Sequence, residues 1–74
     1  MSEENSILKL DSVVLLKSIP SKNLKKGDVG CVVEVHEEGM YEIEFIDSKG
    51  RTRALLALPE SYVMRLNLNI IEAR

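Results

Sequence analysis

The segment that decides the fold, residues 24–50, reads LKKGDVGCVVEVHEEGMYEIEFIDSKG. Apolar and polar residues alternate in two runs, one on each side of the Glu-Glu-Gly step at residues 37–39. Alternation with period two is typical of strands that bury one face, and a three-residue loop ending in glycine is a favoured hairpin connection. Asp first and Gly last at residues 47–50 indicate a second turn. The segment therefore predicts two successive β-hairpins.

The loop at residues 37–39 also predicts a register for the first hairpin. Three apolar pairs then face each other: Val35 with Tyr41, Val33 with Ile43, and Cys31 with Phe45. Cys31 is thus expected to point into the core, while Glu34 faces Glu42 on the outward side. A four-residue loop in the second hairpin places Glu44 opposite Arg53, which is a favourable cross-strand charge pair.

The remaining chain predicts three more strands. Residues 12–18 form the first, which closes at Ile19-Pro20 because proline removes a donor and keeps its predecessor extended. A long polar loop follows, with Leu24 as its anchor. The fourth strand ends at Pro59, and one tight 3-10 turn precedes a fifth strand over residues 62–66.

Five strands, a long first loop and a one-turn helix before the last strand describe a small all-β domain, a five-stranded SH3-like barrel. An OB-fold is the alternative and normally needs a longer chain and a real helix. The predicted boundaries are an N-terminal tail over residues 1–10, the barrel over 11–66, and a strand extension or tail over 67–74. With 74 residues, the chain has room for one domain.

The composition of the chain limits the kinds of functional site that it can form. A single cysteine allows neither an intramolecular disulfide nor a cysteine-based zinc site, so a reducing cytoplasm is expected. The longest apolar run, residues 13–16, cannot span a membrane. Cys31 and the only histidine, His36, lie five positions apart on one strand and point to opposite faces. We therefore expect no catalysis, no cofactor and no metal; His36 and Glu34 share a face, but two ligands do not close a site.

The chain has a net charge of −2, and its charged residues are unevenly distributed along the sequence. Residues 29–47 carry six carboxylates and no Lys or Arg. The facing pair Glu34 and Glu42 disfavours the isolated fold, and a basic partner would relieve that repulsion. A glutamate-rich face that only keeps the domain solvated is the alternative interpretation.

Nucleic-acid binding is less well supported by the sequence. Phosphate neutralisation requires clustered Lys and Arg, and base stacking requires exposed aromatic side chains. The chain offers Lys22, Lys25 and Lys26 in one loop, with Arg51 and Arg53 further on, and no aromatic residues among them.

Several motifs carry resemblances to known families. The loop-strand motif at residues 24–35, with Glu-Phe-Ile-Asp at residues 44–47 and Gly50 downstream, resembles the KOW class of SH3-like barrels, found in transcription-elongation and ribosomal proteins. From Leu10 to Leu66 the chain resembles more closely a bacterial family of small uncharacterised SH3-like proteins. The motifs that carry this second resemblance lie at residues 10–16, 24–35, 44–50 and 58–59. That resemblance implies a small partner of a protein encoded nearby, of the antitoxin or immunity kind.

These observations predict a non-catalytic protein-binding module with a basic partner. The residues expected to contact it are Glu34, Glu42, Glu44 and Arg53, together with Leu68 and Ile70 of the C-terminal extension. Edge pairing through that extension would also allow a homo-oligomer. In the alternative interpretation, the extension folds back over the open end of the barrel. A KOW-like nucleic-acid or ribosome-associated module, using Lys22, Lys25, Lys26 and Arg51, is the alternative.

Overall fold

The computed structural model describes residues 7–37 and 39–66 of the chain. Five strands make up the fold: β1 (Ser12–Leu15), β2 (Val29–His36), β3 (Met40–Ile46), β4 (Thr52–Pro59) and β5 (Val63–Arg65). Two 3-10 turns, Pro20–Lys22 and Glu60–Tyr62, lie between β1 and β2 and between β4 and β5. No helix in the described part of the chain is long and apolar enough to cross a membrane.

All five strands join one antiparallel sheet in the order β4-β3-β2-β1-β5. The predicted all-β class, the strand number and the 3-10 turn before the last strand are confirmed. β1 is shorter than predicted and ends at Leu15. The first 3-10 turn was missed; Pro20 opens it, and Asn23 closes it with a left-handed φ of 58°, which asparagine tolerates.

One face of the sheet packs on the core. Ten apolar side chains are buried there: Ile7, Val13, Leu15, Leu24, Val32, Tyr41, Ile43, Phe45, Leu58 and Val63. Leu24 is only 1% exposed, which confirms the predicted anchor of the long loop. Ile7 is buried as well, so part of the predicted N-terminal tail contributes to this core.

A β-bulge corrects the predicted register of the first hairpin. Val35 pairs with Tyr41 and Glu34 with Glu42, as expected, but the register shifts between Val32 and Glu34. Beyond the shift, Val32 pairs with Ile43 and Cys31 with Glu44. The two predicted pairs involving Val33 and Cys31 are therefore wrong. A bulge adds one residue to one strand and reverses the faces beyond it, so Val32 is buried and Cys31 faces outward.

The first hairpin also brings two backbones close together. Gly30 is buried in β2 and pairs with Phe45. A Cβ atom added to Gly30 would lie 2.7 Å from Cγ2 of Ile43 and 3.0 Å from the carbonyl oxygen of Glu44. Glycine is therefore required here by the close approach of β3.

A second bulge corrects the other hairpin. The register of β3 and β4 shifts between Phe45 and Ile46, so Phe45 pairs with Ala54 and Glu44 with Leu55. The predicted pair of Glu44 with Arg53 is wrong for two reasons. Ile46 pairs with Thr52, so the loop is one residue longer than predicted, and Arg53 is the extra residue at the shift.

Candidate binding surface

The side of the sheet away from the core, here called the outer face, carries three glutamates. Glu42 and Glu44 alternate with buried residues along β3, and Glu34 of β2 lies directly across from Glu42. The sequence predicted all three on this side. Glu34 has an ion pair with Lys9 at 3.8 Å, and Oε1 of Glu42 lies within hydrogen-bond distance of Nε2 of His36, at 2.9 Å.

Glu44 is placed differently from the other two carboxylates. Its Oε2 accepts a hydrogen bond from the hydroxyl of Thr52 at the start of β4. Its neighbours across the sheet are Cys31 on one side and Leu55 on the other. Glu44 therefore lies between apolar positions, while Glu34 and Glu42 form the acidic part of the outer face.

An apolar patch adjoins the acidic part and was not predicted. Four large side chains are each between 51% and 55% exposed: Val29, Ile46, Leu55 and Met64. The register aligns Met64, Val14 and Val29 in one row across β5, β1 and β2. In the sequence, Val29 and Cys31 belong to the same alternating set of apolar residues. Without the bulge, that alternation predicts that both are buried.

A shallow pocket of about 220 Å³ lies within this patch. It is lined by Ser12, Val29, Gly30, Cys31, Glu44 and Ile46. Gly30 contributes backbone to the pocket, since its missing Cβ would point to the core side. Val29 and Ile46 are its apolar walls, and the Glu44 carboxylate lies at its side. The arrangement suits one apolar group with a positive charge beside it.

Arg53, predicted to contact a partner, is used within the fold. Its guanidinium donates a hydrogen bond to the carbonyl oxygen of Asn23 at 2.5 Å and lies 3.6 Å from the Asp28 carboxylate. These contacts fasten the long loop after β1 to the beginning of β4. Arg53 therefore positions the loop and does not pair with Glu44.

The same contacts assemble a basic end. Lys22, Lys25 and Lys26 are exposed on the long loop, and Arg51 is exposed two residues before Arg53. Since Arg53 fastens that loop to β4, the two basic segments that the sequence listed separately belong to one end of the domain. Leu68 and Ile70, the predicted edge-pairing residues, lie outside the described residues.

The chemistry of the described residues is limited. No group of three or more His, Cys, Asp or Glu side chains in residues 7–37 and 39–66 is arranged to hold a metal ion. Cys31 is partly exposed, and its Sγ lies 3.8 Å from the carbonyl oxygen of Val32. Burial, with a smaller contribution from the nearby Glu60 carboxylate, raises the pKa of Tyr41 above its ordinary value of 10.0.

Comparison with known protein families finds a match over most of the chain. Residues 9–65 match the family model described as a domain of unknown function, DUF4926. No curated protein and no solved structure matches the chain significantly. The matched range begins just before β1 and ends with β5, so it covers the entire sheet described above. The chain therefore belongs to the DUF4926 family of domains of unknown function.

Proposed function

We propose that this domain is a non-catalytic protein-binding module whose outer face covers a basic surface of another protein. In its most concrete form, it is an antitoxin-like or immunity-like partner of a protein encoded nearby, in a reducing cytoplasm. Glu34, Glu42 and Glu44 would contact Lys and Arg side chains of that partner, and the C-terminal extension with Leu68 and Ile70 would add a strand at the sheet edge.

The observation that carries this proposal is the shared orientation of the three carboxylates. Glu34 and Glu42 are directly opposed, which is unfavourable for like charges. Among the described residues, Glu34 has the long ion pair with Lys9, and Glu42 has the hydrogen-bond contact with the His36 ring. Exposed pairs of this kind contribute about 0–1 kcal/mol, so a cation of a basic partner can replace either contact at little cost.

The open edges of the sheet support the same function. β5 is at one end of the strand order and has only three residues, Val63–Arg65. An edge strand presents backbone N–H and C=O groups that another chain can pair with. Residues 67–74 follow directly after this edge, so an added strand would bring Leu68 and Ile70 next to the partner.

The test is a salt-dependent affinity measurement. The tagged full chain is used to isolate its partner from the native host, and the purified pair is measured by calorimetry at low and physiological salt. Since each exposed carboxylate contributes up to roughly 0.5 kcal/mol, the variant Glu34→Gln/Glu42→Gln/Glu44→Gln should bind about tenfold more weakly. Its affinity should also depend less on salt.

Glutamates away from the outer face provide the control. The variant Glu37→Gln/Glu60→Gln removes two exposed charges and should leave the affinity within about twofold of wild type, after the general charge effect is allowed for. Equal affinities of the triple variant and the wild-type chain would reject the acidic-face proposal.

A second function has one specific observation in its favour. The contacts of Arg53 with Asn23 and Asp28 bring the loop lysines and Arg51 to one end of the domain. Such a cluster could neutralise phosphates, as in a KOW-like nucleic-acid or ribosome-associated module. The described residues present no exposed aromatic ring at this end, so binding would be sequence-independent.

A gel-shift assay separates the two functions. Wild-type protein and the variant Lys22→Gln/Lys25→Gln/Lys26→Gln/Arg51→Gln are titrated into single-stranded RNA at low and physiological salt. A nucleic-acid module predicts binding that weakens steeply with salt and is lost in the variant. No shift with wild-type protein, or equal shifts with both, would reject it.

A further inference from the structure

We propose that the pocket between Val29 and Ile46 receives a single apolar side chain from a basic segment of the partner. The cationic neighbours of that side chain would bind Glu44 and Glu42. This inference rests on the proposed function and adds to it a binding mode and a partner chemistry: a segment in which one leucine-like anchor is flanked by Lys or Arg.

The size and walls of the pocket favour one anchor. Its volume is about 220 Å³, whereas an apolar cavity of about 150 Å³ accommodates a benzene molecule. Val29 and Ile46 form its walls, and each is about half exposed, at 51% and 52%. A leucine, methionine or phenylalanine side chain would cover both walls and the backbone of Gly30.

The charges around the pocket determine what flanks the anchor. Glu44 lines the pocket and accepts one hydrogen bond from Thr52, and an ionised carboxylate has about four acceptor positions. Glu42 lies two residues along the same face of β3. A Lys or Arg next to the anchor would therefore find an acceptor at Glu44, and a second one would find Glu42.

The same charges argue against two other occupants. A second copy meeting this face with its own outer face would place glutamates against glutamates. Residues 67–74 of the same chain contain Leu68 and Ile70, but the side chains beside these are asparagines, and Glu72 offsets Arg74. A basic amphipathic segment of another protein complements the face better than either of these.

The experiment is an NMR titration of the isotope-labelled full chain with three short synthetic peptides. The first is lysine-rich with a central leucine, the second is lysine-rich with a central serine, and the third is glutamate-rich with a central leucine. The first should shift the amide signals of Val29, Cys31, Glu44 and Ile46. It should bind about tenfold more tightly than the second, and the third should not bind.

Conservative variants locate the anchor. Val29→Thr/Ile46→Thr keeps β-branched residues at exposed strand positions and should lower the affinity for the leucine peptide about tenfold. The matched control is Val35→Thr, an exposed valine on the same strand at 44% exposure, and should leave the affinity unchanged. Glu44→Gln should weaken both lysine-rich peptides.

Several results would overturn the inference. These are no binding of the leucine peptide, equal affinities of the leucine and serine peptides, or shifts confined to the loop at residues 20–28. Signals of Val29 and Ile46 that move with protein concentration alone would assign the pocket to a second copy. Tighter peptide binding after deletion of residues 67–74 would assign it to that segment.

Failure here is distinguishable from failure of the proposed function. In one outcome, the Val29→Thr/Ile46→Thr variant keeps full affinity for the host partner while the triple glutamate variant loses it. That result would reject the apolar anchor in the pocket and support the contact of the glutamates with the partner. If the triple glutamate variant keeps full affinity for that partner, the proposed function itself fails.

Discussion

Replacing two adjacent valines by threonine, one at a time, tests the bulge that places the outer-face residues. Val32 is completely buried and pairs with Ile43, whereas Val33 lies at the register shift and is partly exposed. Threonine has nearly the shape of valine but carries a hydroxyl group. The two variants therefore make the same chemical change at a buried position and at the bulge itself.

The expected magnitudes differ because only one hydroxyl enters the core. Burying a hydroxyl without a partner costs about 1–3 kcal/mol, so Val32→Thr should lower the free energy of unfolding by that amount. In a domain of this size, this corresponds to a fall in Tm of about 4–8 °C per kcal/mol. Val33→Thr should stay within about 0.5 kcal/mol of wild type, since its hydroxyl can reach water.

Urea denaturation followed by far-UV circular dichroism measures both variants, and unchanged m-values would show that the denatured state is not affected. An uninterrupted hairpin would bury Val33 and expose Val32. A larger loss of stability in Val33→Thr than in Val32→Thr would therefore refute the bulge and the outward position of Cys31.

Three further results are expected. Gly30→Ala should destabilise the domain by about 1–3 kcal/mol, measured by urea denaturation, because its Cβ would collide with Ile43 and with backbone; a change below about 0.5 kcal/mol would contradict the close approach of β2 and β3. The raised pKa of Tyr41 stabilises the folded state up to the ordinary value of 10.0, and this contribution is lost as the pH rises through the folded-state value. In the Tyr41→Phe variant, the free energy of unfolding should therefore fall less at alkaline pH, measured in a pH series of denaturation curves. An identical pH dependence in the variant and the wild type would contradict the raised pKa of Tyr41. Arg53→Lys should speed hydrogen exchange at the amide of Gly27, which donates to Leu15, because the guanidinium contacts that hold the long loop are lost; unchanged exchange would show that Arg53 does not fasten this loop.

The sequence predicts the fold class well because the signals are local. The alternation along β3 and the turn residues at positions 39 and 50 are sufficient to place two hairpins. Pro59 likewise marks the end of β4. Each of these signals depends on a few neighbouring residues and not on tertiary contacts.

The register could be predicted only up to the first bulge. Val35 opposite Tyr41 and Glu34 opposite Glu42 are found as expected, but nothing in the local pattern indicates an extra residue at Val33. The shift depends on contacts that are distant in the sequence: the backbone of Val32 forms hydrogen bonds with the backbone of residues 10 and 11. This is also why Cys31 was expected in the core and the pocket beside it was not expected at all.

The candidate surface was predicted in part for the same reason. Glu42 and Glu44 follow the alternation of β3, and Glu34 belongs to a pair between the turn and the bulge. The bulge therefore does not change the face on which these glutamates lie. Arg53 was expected opposite Glu44 but contacts Asn23, thirty residues away. Contacts at this sequence separation depend on how the loop after β1 packs, which the alternation of apolar residues does not encode.

Protection of individual carboxylates in the host complex is the most direct measurement of the central claim, that this domain acts by contact through its outer face. Carbodiimide labelling followed by mass spectrometry is compared between the free chain and the chain bound to its partner. The account predicts that labelling of Glu34, Glu42 and Glu44 falls on binding while that of Glu60 does not. Undiminished labelling of all three outer-face glutamates in the intact complex would contradict it.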